Sequence, residues 1–251
     1  MLGSGTSSGV PRIGNDWGRC DPTEPKNRRR RVSVLVEVGS HKLVIDTGPD
    51  FREQCLSAGL KRLDAALLTH SHADHTHGID DIRQFMHLMG RPIPVYAAKG
   101  TWDHLLDRFA YVFEGRELYS ASAEAITIDG PFEVGSMHVT AFPQVHGPIT
   151  SWGFRIEADG AAFCYSTDLS DLTPRAEDAV AGCDLWIVDA LRRRPHPTHS
   201  HLDQTLTWID RLKPSHAVLT HMDNSMDYLT LRAELPAHVE PGYDMWSAVL
   251  G

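Results

Sequence analysis

Cysteine is scarce in this chain and never paired in sequence. Cys20, Cys55, Cys164 and Cys183 are scattered through 251 residues without a C-x-x-C motif. That pattern argues against a disulfide framework and predicts reduced thiols in a cytoplasmic setting. No apolar run approaches the roughly 20 residues needed to span a bilayer, so no membrane partner is expected. The opening residues, Met1-Leu2-Gly3-Ser4-Gly5-Thr6, contain neither the basic nor the apolar region of a secretory signal. Basic charge is also short. With 24 Lys and Arg against 33 Asp and Glu, the net charge is −9, which disfavours nonspecific attraction to nucleic acid. No internal repeat, low-complexity tract or linker breaks the chain, and 41% hydrophobic with 23% charged residues is an ordinary globular balance. A single domain over residues 1–251 is the expectation.

Histidine, in contrast, is abundant at 15 residues. His70, His72, Asp74 and His75 fall within six residues, directly after the apolar run Ala65-Ala66-Leu67-Leu68. A strand cannot continue through alternating His and Asp without burying one set, whereas a tight loop leaving a strand end can gather all of them around one point. Imidazole and carboxylate are the usual donors to zinc, manganese or iron, so the spacing points to a metal site rather than to a polar surface loop.

Elsewhere the pattern alternates strands with helices, and several strands come as hairpins, which predicts mixed sheets covered by helices in an α/β (α+β) fold. Val32–Val38 and His41–Asp46 read as a hairpin around Gly39-Ser40, with Asp46 at a strand end where it could orient the histidine loop. Helical spacing covers Phe51–Leu60, Ile79–Met89, Trp102–Phe113 and Leu202–Leu212. Strands are expected at Met137–Phe142, Ala161–Ser166, Leu185–Asp189 and Ala217–Thr220. His146, Asp168 and His221 each follow such a run, as His70 does, so their side chains converge if those strand ends share one edge. The Gly3–Pro11 stretch is too poor a match for a dinucleotide fingerprint, since no strand precedes it and no helix follows. It reads as a bent loop near the metal site. Arg28–Arg31 is either a solvated strand entry or a contact for a phosphate-bearing ligand, and the same alternatives hold for Arg192–Arg194.

The motif His70-x-His72-x-Asp74-His75 with the ordered His146, Asp168 and His221 resembles the metallo-β-lactamase superfamily, over nearly the whole chain. The resemblance implies a four-layer αββα sandwich. It further implies that His70, His72 and His146 hold one divalent ion, that Asp74, His75 and His221 hold a second, and that Asp168 bridges them. Two groups look closest: the cyclic phosphodiesterase of the carbon–phosphorus lyase pathway and ribonuclease Z. Both carry a further histidine before a helix as general acid, and His199 in Thr198-His199-Ser200-His201-Leu202 matches it, with His201 the weaker candidate. Gly3-Ser4-Gly5-Thr6 and Pro241-Gly242-Tyr243-Asp244 also resemble the cyclic phosphodiesterase group. Two departures stand out. Of that group's cysteine cluster for a structural zinc only Cys20 is present, so no such zinc is expected. Only Met1-Leu2 precede the glycine loop, where relatives have a strand; a start further upstream or a shortened strand accounts for that.

The function so implied is a metal-dependent phosphoric diester hydrolase, with zinc or manganese as the two ions and His199 and Asp74 as catalytic residues. Ions roughly 3.5–4 Å apart would share a water whose pKa falls from about 15.7 toward roughly 7; the bridging hydroxide attacks phosphorus while His199 protonates the leaving alkoxide. The absence of a ribonuclease Z-type clamping arm and the acidic charge favour a small phosphodiester or nucleotide-like substrate over structured RNA. A ribonuclease Z-like endonuclease, a lactone or thioester hydrolase, and a noncatalytic metal-binding protein of cofactor biosynthesis are the alternatives. A homodimer is compatible with the sequence, which does not report oligomeric state.

Overall fold

Most strands read as continuous apolar runs because both of their faces are buried. A computed structural model describes residues 1–251. The first half of the chain runs β1 (Val34–Val38), β2 (His41–Ile45), α1 (Phe51–Ser57), β3 (Ala65–Leu67), α2 (Ala73–Thr76), α3 (Ile82–Met89), β4 (Ile93–Ala97), α4 (Lys99–Glu114) and β5 (Ala123–Thr127). The second half runs β6 (Phe132–Val134), β7 (Met137–His146), β8 (Ile149–Ala158), β9 (Ala161–Ser166), β10 (Asp171–Leu172), α5 (Pro174–Val180), β11 (Leu185–Asp189), α6 (Leu202–Leu212), β12 (His216–Thr220), α7 (Tyr228–Glu234) and β13 (Val239–Pro241). Strands β1 to β5 form one sheet in chain order. The other has the order β10-β7-β8-β9-β11-β12-β13, with β6 on β7.

The period of two along each strand sorts side chains into three apolar layers. Leu43, Ile45, Ala65 and Leu67 from one sheet meet Phe154, Tyr165, Ile187 and Val218 from the other. Their neighbours Val44, Ala66, Leu68 and Val95 point the opposite way, onto Phe51, Phe85, Trp102 and Leu105 of α1, α3 and α4. On the far side Cys164, Trp186, Val188 and Leu219 pack against Ala176, Trp208, Ile209 and Leu231 of α5, α6 and α7. The result is a four-layer αββα sandwich. Strands β2 to β5 are mutually parallel, as are β9, β11, β12 and β13, while β7 and β9 flank the antiparallel β8 and so run the same way. The ends of β2, β3, β7, β9, β11 and β12 therefore open toward the edge where the histidines lie.

Some elements differ from the sequence expectation. Strand β7 runs on to His146 instead of stopping at Phe142, with Pro143 inside it opposite Trp152. His146 is thus the last strand residue before a tight Gly147-Pro148 hairpin. Within the Arg28–Arg31 run, Arg28 is exposed over the Trp17 ring, whereas the other three are engaged by the protein. Arg29 is 2% exposed, and its guanidinium donates to the carbonyls of Asp223 (3.3 Å) and Met226 (2.6 Å) and to Asn27 Oδ1. Cys20 Sγ lies 3.7 Å from the same group. Arg30 pairs with Asp244, and Arg31 with Asp50. Asp244 also accepts from Ser4 N and Oγ, so the opening and closing motifs noted in the sequence meet in space. All four cysteines are buried and unpaired.

Asp227 joins these segments as the N-cap of α7. One oxygen accepts from Thr230 N at 2.9 Å and from its hydroxyl; the other accepts from Asn27 Nδ2 at 2.7 Å and from Asp21 N. Partial burial opposes its ionisation, but the hydrogen bonds from Thr230, Asn27 and Asp21 dominate and hold its pKa at about 2. The folded value lies below the unfolded one, so the stabilisation is complete above the ordinary carboxylate range and disappears as pH falls through about 2. Asp227→Ala is expected to cost about 1–2 kcal/mol at neutral pH. Urea titrations of both proteins between neutral pH and acid check this: the gap should narrow only below the ordinary carboxylate pKa, and a pH-independent gap would count against the assignment.

Candidate metal centre

The histidine loop is positioned from beneath by Asp46. That residue leaves β2 in a left-handed backbone conformation (φ 64°), and its Oδ1 accepts from Thr69 N at 2.8 Å. Its Oδ2 lies 2.7 Å from His75 Nδ1. A buried carboxylate there keeps the proton on Nδ1 and leaves Nε2 bare toward the cleft. His146 is set in the same way, its Nδ1 donating to Thr198 O at 2.8 Å. Asp168 (φ 52°) and His221 (φ 57°) also adopt the left-handed region at their strand exits. Each such residue stores about 1–2 kcal/mol of strain, a cost expected at functional positions.

Every side chain named in the sequence motif arrives at this edge. His70, His72, His146 and Asp168 form one group of donors, and Asp74, His75, Asp168 and His221 a second, with the donor atoms in each group within 4.8 Å of one another. Asp168 belongs to both. Its Oδ1 is 3.1 Å from His75 Nε2 and 3.4 Å from His221 Nε2, while its Oδ2 is 3.7 Å from His70 Nε2 and 3.5 Å from His146 Nε2. Yet His70, His75 and His221 Nε2 are buried and make no hydrogen bond. These atoms crowd around Asp168 without bonding to it, so they face a common centre rather than one another. Buried donors left unpartnered in this way fit a divalent cation, which needs converging lone pairs and no protons.

The electrostatics agree. Burial opposes ionisation of Asp74 and Asp168, but the surrounding imidazoles, led by His75 for Asp74 and His221 for Asp168, hold both pKa values well below the ordinary range. Burial likewise opposes charge on His221, and Asp168 outweighs it, raising that pKa to about 9. His70, buried and beside His75, is pushed down. The two carboxylates therefore favour positive charge at the centre, while His70 is kept in the neutral form that offers a lone pair.

His199 stands at the wall of this centre, its ring stacked on His221 at 4.9 Å and its Nε2 3.8 Å from Asp168 Oδ2. Its Nδ1 is 3.0 Å from Asp189 Oδ2. Asp189, wholly buried at the end of β11, did not stand out in the sequence. The available signal was an acid terminating a fully apolar strand, the same signal that singled out Asp46. His201 faces elsewhere, with Nδ1 on Gln204 Oε1 at 3.2 Å. Arg192 braces its own loop through the carbonyls of Arg194 and Pro195, and Arg193 pairs with Glu234. The cleft over the centre is about 190 Å³ and is also lined by Ser7, Pro148, Ile149 and Thr198, none singled out individually for a site role from sequence. A larger apolar cleft of about 500 Å³ lies along β1 and Met245–Leu250 and contains no site residue.

Residues 41–222 match the family model for the β-lactamase superfamily domain. The chain belongs to that superfamily. It is 36% identical to a solved diphosphatase from the PhnP family, with a TM-score of 0.88 over 97% of this chain and 92% of that one. It is 33% identical over 258 residues to an octanoyltransferase of Porphyromonas gingivalis, covering 100% of this chain and 51% of that protein. A ribonuclease Z of Bradyrhizobium sp. is 28% identical over 135 residues, 52% of this chain and 45% of that protein. The chain thus spans about half the length of the curated relatives it matches. No helix is long and apolar enough to cross a membrane.

Proposed function

We propose that this superfamily hydrolase cleaves phosphodiesters of small, nucleotide-like substrates, with His199 as the general acid. The observation that carries the reading is His199 itself. It sits beside both donor groups but belongs to neither ligand set that the family motif implies, and it is held through Nδ1 by a buried carboxylate. Divalent cations, zinc or manganese, held by His70, His72, His146, Asp168, Asp74, His75 and His221 would supply water activation and charge neutralisation at phosphorus.

The rest follows from the side chains. Asp189 orients His199 through Nδ1, so Nε2 is the atom presented to the cleft, and the general acid is the doubly protonated ring. As the P–O ester bond breaks, the proton on Nε2 passes to the departing alkoxide oxygen; water replaces that oxygen on phosphorus and its proton restores the acid. Asp46 holds His75, and Thr198 O holds His146, so neither ring must reorient during the cycle. A net charge of −9 gives little attraction for a long polyanion, which favours a small diester over structured RNA. The diphosphatase likeness favours a second reading, a P–O–P linkage cleaved by the same apparatus.

Metal-loaded protein should hydrolyse bis(p-nitrophenyl) phosphate and 2′,3′-cyclic nucleotides; turnover of neither, with clear lactone or thioester hydrolysis, overturns the reading. His199→Ala should lower turnover of the cyclic nucleotides by about 10²–10⁴-fold. The loss should be smaller for p-nitrophenolate, which departs without a proton. Metal content measured in parallel should be unchanged; loss of metal would make His199 a ligand, a role its proximity to Asp168, Asp189 and His221 allows.

A further inference from the structure

We propose that the turn Thr6-Ser7-Ser8-Gly9 is an anion subsite at the mouth of the cleft, built for the second phosphoryl group of a diphosphate-linked substrate. This rests on the phosphoryl-hydrolase reading above and narrows its substrate class. Gly9 N donates to Thr6 O at 2.8 Å, and neither Ser7 nor Ser8 has a positive φ, which makes this a type I-like turn. The N–H groups of Ser7 and Ser8, at its centre, meet no backbone acceptor. Both residues are exposed, and Ser7 lines the cleft together with His72, Asp74 and His221.

The turn is held rigidly. Gly5 N donates to Arg30 O, Val32 N to Gly5 O, Val10 N to Arg29 O, and Thr6 N to Met222 O, the residue after His221. A side chain at Gly5 would meet Arg29 Cβ at 2.8 Å, so the strands press together there. Arg31, anchored to Asp50, donates from Nε to Ser7 O at 3.1 Å. That carbonyl shares its peptide group with Ser8 N–H, so the guanidinium polarises one of the free donors directly. Successive unpaired N–H groups in a turn make an anion nest, here with one donor polarised through its own peptide group. The cleft lining contains no lysine or arginine. Ser7 places the turn at the cleft mouth, where its donors take the part that no lysine or arginine of the lining plays. In the reaction, water attacks one phosphorus, the P–O bond to the bridging oxygen breaks, and that oxygen leaves with the second phosphoryl group. The products are two phosphate monoesters.

The test compares KM values for diadenosine diphosphate and bis(p-nitrophenyl) phosphate in the manganese-loaded enzyme. Ser7→Pro keeps a residue suited to the second position of a type I turn but deletes an N–H and a hydroxyl. Ser8→Asp leaves the backbone intact and adds a like charge. Each should raise the ratio of the diphosphate KM to the monophosphate KM about tenfold, the scale of one charge-assisted hydrogen bond. The two KM values moving together, or neither moving, overturns the subsite. Calorimetry supplies a readout independent of turnover: the wild type should bind methylenediphosphonate at least about tenfold more tightly than methylphosphonate, and both variants should lose that preference. If neither ester is hydrolysed, the phosphodiesterase reading falls and the calorimetric comparison alone decides the subsite; equal binding of the two phosphonates by the wild type rejects it.

Discussion

Asp168→Gly is expected to abolish turnover, by about 10⁴-fold or more, and to deplete the proposed metal centre while leaving the fold intact. The two effects separate because of where this residue sits. Functionally, Asp168 belongs to both donor groups, with one oxygen toward His75 and His221 and the other toward His70 and His146. Loss of one carboxylate therefore removes a ligand from two positions. Structurally, its backbone lies in the left-handed region, where a side chain costs about 1–2 kcal/mol that glycine does not incur. The hydrogen bond from Thr167 is lost, but so is a fully buried carboxylate. Relief of backbone strain offsets part of the lost attraction to His75 and His221, so thermal unfolding of the metal-free protein should fall only modestly, whereas elemental analysis should show at most one ion per chain. Retention of full metal and activity would remove Asp168 from the centre. A collapse of metal-free stability would show instead that the carboxylate is a structural group.

Much of this centre was visible in the residues before the structure. His70 to His75 declare themselves through spacing, and Asp46, His146, Asp168 and His221 through their place after apolar runs. What the sequence could not show was direction. Leu43, Val44 and Ile45 are equally apolar, and only the structure assigns the middle one to the helices and the outer two to the other sheet. Asp189 closes a run that reads as pure core, so its contact with His199 across ten residues of loop was hidden. Arg29 was hidden by its neighbours: four consecutive arginines carry no sign of which one is buried against the carbonyls of a segment about 200 positions away. Pro143 misled for a physical reason, since proline has no N–H for a ladder, yet β7 carries it between β8 and the two-residue β10. Short elements such as α5, α7 and β13 are set by tertiary packing more than by pattern, and their seven or fewer residues give too little periodicity to read.

The second large effect concerns two glycines that no metal-ligand pattern would select. Gly78→Ala should destabilise the protein by about 3 kcal/mol or more and weaken metal binding with it. A Cβ at residue 78 would lie 2.0 Å from Gly48 O and 2.9 Å from Phe51 Cβ, and one at residue 48 would lie 2.1 Å from Asp74 O. Neither glycine has a positive φ, so the requirement is close approach rather than backbone freedom. The approach is what docks the histidine loop: Thr47 N donates to His75 O, and Gly78 N to Thr47 O, each at 2.8 Å. Forcing the segments apart would stretch both bonds and pull His75 away from Asp46, the carboxylate that sets its tautomer. The opposing atoms are the Gly48 carbonyl and Phe51 Cβ, neither of which can swing aside to relieve the contact. Gly100→Ala is the control, because nothing lies within 4 Å of its Cβ and it stands within α4. There alanine should be neutral or stabilising by up to about 1 kcal/mol. Urea unfolding of both variants with metal titration checks the contrast. Equal stability of the two would mean that the Gly48–Gly78 crossing yields easily, and that the loop is held by its ligands instead.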